Sequence, residues 1–67
     1  MYRNKRTMTY EEFVEAVKKE SAELPVSKAC PEDYEKEIAN WEREVAERHY
    51  NDGDSVEDSV YYIDLMV

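Results

Sequence analysis

Apolar side chains recur along this chain at intervals of three and four, and three stretches carry the pattern. In the first, Tyr10, Phe13, Val14, Val17 and Leu24 share one side of a helical wheel, with Glu12, Glu15, Lys18, Lys19 and Glu23 mostly elsewhere on it. Its start is marked twice. Thr9 as N-cap with Glu12 three residues on forms a capping box, and Met8 and Phe13 hold the two positions of a hydrophobic staple. Glu11 and Glu12 also suit the positive end of the helix dipole. Pro25 pushes Leu24 out of the α region, so the pattern predicts a helix over about 10–23.

Residues 25–30 read as a short connection. Pro31 is placed to open a second helix, because the N–H it lacks would be unpaired there anyway. Tyr34, Ile38, Trp41, Val45 and His49 then step by four, three, four and four, a narrow seam on one helix face. Glu32 with Lys36 and Glu44 with Arg48 are acid-first pairs four apart, each worth about 0.2–0.5 kcal/mol to the helix. The run Asn51-Asp52-Gly53-Asp54 ends it. The second helix is expected over 31–49.

The last stretch reads two ways. As a helix over 55–66, Ser55 is the N-cap, Asp58 takes the capping-box position, and Val56, Val60, Ile63 and Val67 fall on one face. As a strand, Val60 to Val67 puts Tyr61, Ile63, Leu65 and Val67 on one side. Boundary chemistry favours the helix, and a lone strand would have only Met1 to Met8 to pair with. The fold expected is all-α, a small three-helix bundle, with segment 1–8 a flexible basic leader and 9–67 one acidic helical domain.

Sixty-seven residues allow a single core and no more. The one cysteine, Cys30, excludes an internal disulfide, and no cysteine and histidine cluster suggests zinc. No apolar run approaches the roughly 20 residues that span a bilayer. The chain therefore reads as cytoplasmic, with no membrane and no cofactor.

Charge changes the picture more. There are 17 acids against 9 bases, a net charge of −8, and Arg3, Lys5 and Arg6 crowd the first ten residues, which hold no acid. From Asn51 to Val67 there are five acids and no base. Direct binding to nucleic acid by phosphate neutralisation needs the opposite balance. A basic protein surface is the natural partner.

Catalysis lacks parts. Acid and base carboxylates need a pocket that drives their pKa values apart, and three short helices offer little room for one. With one glycine there is no phosphate loop and no nucleophile elbow. Gly53 comes third in the Asn51-Asp52-Gly53-Asp54 run, where a calcium loop wants it sixth with a glutamate at the twelfth position, so no metal is expected. Cys30 and His49 lie at opposite ends of one expected helix, roughly 28 Å apart at 1.5 Å per residue, too far to act as nucleophile and base.

What remains is acids beside tyrosines. Glu37, Glu44 and Asn51 repeat at seven-residue spacing with Glu47 close by, and Tyr50, Tyr61 and Tyr62 neighbour Asp52, Asp54, Glu57 and Asp58. Carboxylates a turn or two apart lie about 5–10 Å from one another, a spacing like that of phosphates along a strand. Tyrosine supplies rigid contact area of the kind enriched at interface hot spots.

In general character, tiny, acidic and tyrosine-bearing, the chain is similar to phage-encoded nucleic-acid mimics such as anti-restriction and anti-CRISPR inhibitors. The resemblance implies a bacterial host's cytoplasm and a stoichiometric inhibitor that fills a basic nucleic-acid-binding groove. The partner-binding residues expected are Glu37, Glu44, Glu47, Tyr50, Asp52, Asp54, Glu57, Asp58, Tyr61 and Tyr62. The alternative is a helical assembly or adaptor module that homo-oligomerises, as a homodimer for instance, or joins a larger complex through its apolar C-terminal segment.

Overall fold

The computed structural model describes residues 8–67, and every regular element among them is helical. In chain order they are α1 (Tyr10–Ser21), α2 (Pro25–Ala29), α3 (Pro31–Asn40), a π-helical segment (Trp41–Val45), α4 (Ala46–Asp52) and α5 (Val56–Met66). The expected all-α fold is what they form. α3, the π segment and α4 run on as one rod over residues 31–52. At 1.5 Å per residue that rod is about 33 Å long, which accounts for the molecule's longest extent of 35 Å. The segment expected to be a basic leader lies, up to position 7, outside the described residues.

The start of α1 follows the capping box. Glu12 N–H donates to Thr9 Oγ1 at 3.1 Å and Thr9 N–H donates to Glu12 Oε1 at 3.0 Å, so two orphan donors are satisfied reciprocally. The helix ends at Ser21, two residues earlier than expected. Glu23 and Leu24 tighten onto the carbonyls three residues back, of Glu20 and Ser21, both at 3.1 Å. Side chains from outside the helix take up its last carbonyls as well: the Tyr34 hydroxyl donates to Lys18 O at 2.9 Å and Ser27 Oγ donates to Ser21 O at 2.7 Å. Pro25, expected only to stop α1, also starts α2 at its first position, with Leu24 extended before it (φ −66, ψ 146). The expected connection is thus mostly one short helix.

The rod also differs from expectation, and the π segment is the reason. Ala46 N–H bonds the carbonyl of Trp41, five residues back, and Val45 departs from α geometry (φ −122, ψ −30). The wider turn absorbs one extra residue, which rotates everything after it by about 100° relative to an unbroken helix. Val45 and Ala46 consequently both face the core, at 7% and 0% exposure. Tyr50 joins His49 at the seam, and the helix reaches Asp52 rather than ending at 49. Gly53, at φ 84, then takes the left-handed C-cap that glycine alone adopts without penalty.

α5 settles the last stretch as a helix, one residue shorter at its start than the 55–66 expected. Ser55 is its N-cap, accepting from Asp58 N–H at 3.1 Å. Ile63 and Ser59 are buried and Val56, Val60 and Val67 half-buried on its inner side, which packs chiefly on α1. There is no strand among the described residues.

One core joins α1, the rod and α5: Phe13, Val14 and Val17 of α1, Ile38, Trp41, Val45 and Ala46 of the rod, and Ile63 of α5. Native stability of about 0.05–0.15 kcal/mol per residue leaves a chain of this length only several kcal/mol in all. Truncating one large central side chain, at about 3–5 kcal/mol for Phe to Ala, is of the same order. Phe13→Ala is therefore expected to leave the protein largely unfolded at 25 °C. A urea titration followed by far-UV circular dichroism, showing a midpoint near that of the parent, would contradict this account of the core.

Candidate acidic binding surface

The ten residues expected to meet a partner divide into two sets. Glu44, Glu47, Asp52, Glu57, Asp58 and Tyr61 are exposed, whereas Glu37, Tyr50, Asp54 and Tyr62 are half-buried. The row Glu37, Glu44, Asn51 does not run straight. The π segment lies between its first and last members and turns Asn51 about 100° away from the line that an unbroken helix would give. Among the described residues, Glu44 pairs with neighbouring Arg43 at 3.2 Å. The surface pairs Lys18–Glu42 (3.1 Å) and Lys28–Glu23 (3.3 Å) involve other acids. Glu37, Glu47, Asp52, Asp54, Glu57 and Asp58 make no ion pair with another described residue.

Two of the three tyrosines are occupied inside the molecule. Tyr50 donates its hydroxyl proton to the Met8 carbonyl at 2.6 Å and meets Phe13 and Tyr10 at ring separations of 5.5 and 5.7 Å, the latter edge-on. Tyr62 stands at 89° to His49, with ring centres 5.0 Å apart. Tyr61 alone projects outward, 64% exposed. Tyr50 and Tyr62 are thus partly engaged in packing, and Tyr61 is the most exposed of the three.

His49 binds the rod to α5. Trp41 Nε1–H, which can only donate, reaches His49 Nδ1 at 3.1 Å, so that nitrogen is the acceptor in this contact. Ser59 Oγ, fully buried, lies 3.2 Å from the same Nδ1 and must be the donor in that contact. The ring thus caps the core as an acceptor of hydrogen bonds.

Three buried serines went unremarked in the pattern of the chain: Ser21, Ser27 and Ser59. Ser21 continues the α1 stripe four residues after Val17, and Ser59 lies four before Ile63. A polar residue at an apolar register position was the available signal. Each has a partner. Ser21 Oγ lies 2.8 Å from the Tyr34 hydroxyl, and with Ser27 these groups close the end of α1. Leu65 and Met66, 66% and 48% exposed, are further surface residues the expected set omits.

Of the expected set, Asp52, Asp54, Glu57 and Asp58 flank the turn from α4 to α5. Glu57 and Asp58 sit in the first turn of α5, where the helix dipole favours them. Asp52 is the opposite case. It is the last residue of the rod, where the dipole is negative and a cation would be favoured. Among the described residues, no three of His, Cys, Asp and Glu are arranged to hold a metal ion, and no helix is long and apolar enough to cross a membrane. No protein-family model, curated protein or solved structure matches this chain.

Opposite outcomes separate the surface acid from the structural tyrosine. Asp52→Asn is expected to raise stability by a few tenths up to about 1 kcal/mol at low salt. Tyr50→Phe, which removes the bond to the Met8 carbonyl, is expected to lower it by about 0.5–1.5 kcal/mol. Thermal unfolding of the two variants beside the parent checks both signs.

Proposed function

We propose that this protein is a non-catalytic, stoichiometric inhibitor whose acidic corner between α4 and α5 enters a basic groove that otherwise holds nucleic-acid phosphates. The observation that carries the reading is Asp52. A carboxylate at the negative end of a 22-residue rod works against the helix that bears it. A cationic partner at this end of the rod would relieve that cost, so binding there gains what the free helix gives up. Asp54, Glu57 and Asp58 continue the negative charge around the turn, and the turn carries no base. Glu47 lies on α4, with Glu44 just before it in the π segment and Glu37 further back on α3. The partner is then a nucleic-acid-binding protein, met in the cytoplasm of a bacterial host if the chain is phage-encoded.

Long-range attraction between such a surface and a basic groove is screened over about 10 Å at 0.1 M salt. Complex formation should accordingly weaken steeply as ionic strength rises. Immobilised protein is expected to retain nucleic-acid-binding proteins from bacterial lysate at 50 mM salt, to lose them at 500 mM, and to release them to an added oligonucleotide. The double variant Glu47→Lys, Asp52→Lys, altered only at exposed positions, should fold and retain none. Salt-insensitive capture, or a captured set without nucleic-acid-binding proteins, sinks the proposal.

A second reading is an assembly module that joins copies or a larger complex through α5. It is favoured by the exposure of Tyr61, Leu65 and Met66 on that helix.

A further inference from the structure

The outer side of α5 adds something that charge alone does not supply. At about 100° per residue, Tyr61 and Leu65 lie roughly 40° apart on the face directed away from the core, with Glu57 and Asp64 to one side of Tyr61 and Asp58 to the other. Tyr61 and Leu65 are 64% and 66% exposed, while Ser59 and Ile63, on the opposite side, are buried. The helix is thus a convex ridge with an aromatic and apolar crest and carboxylates on both flanks. A second copy of this chain is a poor occupant. It would set acid against acid, and two side chains cover far less than the roughly 800 Å² per partner of a stable interface. A bare track of lysines would satisfy the flanks and leave the crest uncovered.

We infer that the α5 ridge docks into a basic protein groove with an aromatic floor, the kind that holds single-stranded nucleic acid. Such grooves combine cations that follow the backbone with aromatic side chains on which bases stack. On this ridge Tyr61 takes the place of a base, and Glu57, Asp58 and Asp64 take the places of phosphates. A groove built for an intact duplex meets phosphates without a ring to stack, so the crest distinguishes the two. The inference rests on the acidic-surface reading above and narrows it to one class of groove.

Two peptides of equal charge serve as probes, an oligolysine and the same oligolysine interrupted by tryptophans, each titrated into the full chain and followed by amide chemical shifts. Stacking is worth enough per base that the tryptophan peptide should bind at least about fivefold more tightly. Its shifts should centre on Tyr61 and Leu65. The variant Tyr61→Ser, Leu65→Ser should lose that advantage while binding oligolysine as the parent does. Both positions are exposed, so an unchanged unfolding midpoint verifies that the variant is folded. Equal binding of the two peptides, or shifts centred off α5, overturns the inference and leaves the acidic reading standing. If neither peptide binds at low salt, the acidic reading fails as well. Concentration-dependent sedimentation that the variant abolishes would assign the ridge to a second copy and overturn the inference.

Discussion

Trp41 is the side chain through which the elements of this small fold meet. Its ring, 1% exposed, lies 6.1 Å from that of Phe13 on α1, and its N–H donates to His49, whose Nδ1 is shared with Ser59 of α5. A tryptophan buried this deeply must find a partner for its N–H, since a buried donor left unmade costs about 1–3 kcal/mol. That partner lies eight residues along the same rod. The serine that completes the contact belongs to the helix packed on α1. One hydrogen-bonded group thus ties together the π segment, α4 and α5. A buried polar network of this kind adds direction to the packing, since each contact holds only at a particular geometry.

The π segment begins at the same residue. Widening one turn after Trp41 brings Val45 and Ala46 both to the core and lets Tyr50 lie over Phe13 and Tyr10. In a strictly α-helical rod the residues after Val45 would be turned by about 100°, and Tyr50 with them. The Met8 carbonyl, which receives the Tyr50 hydroxyl, would then lose its tie to the body. The start of α1 is therefore held by its own capping box and, independently, by a tyrosine forty-two residues later.

These features mark how far sequence reasoning reached. Thr9 with Glu12, Pro31, Gly53 and Ser55 announced their helix boundaries because capping is local chemistry, set by residues within one turn of each other. The apolar stripes gave Phe13, Val17, Ile38, Trp41, Val45 and Ile63 for the same reason. The π segment was not legible, since nothing in Trp-Glu-Arg-Glu-Val departs from helical composition. Its consequence reached the candidate surface. A row of acids counted at seven-residue intervals presumed an unbroken helix, and Tyr50 and Tyr62, read as contact residues from their acidic neighbours, are engaged in packing.

What survives of the acidic surface is smaller and better placed. Of the ten residues expected to meet a partner, Glu44 is paired with Arg43 and two half-buried tyrosines pack within the fold, while the exposed acids Asp52, Glu57 and Asp58 flank the turn from α4 to α5. That turn is held at both ends: Gly53 and Asp54 bond back to the carbonyls of Tyr50 and His49 at 3.2 and 3.0 Å, and Ser55 caps α5. The carboxylates there stand on backbone that is already ordered, so a partner would not have to order it on binding. Preorganised charge is worth more to a complex than the same charge on a mobile tail, because the entropy of ordering has been met in folding. The hydrogen bonds around His49 that fix the core thereby also fix the spacing of the acids above it, and fold and surface depend on the same few residues.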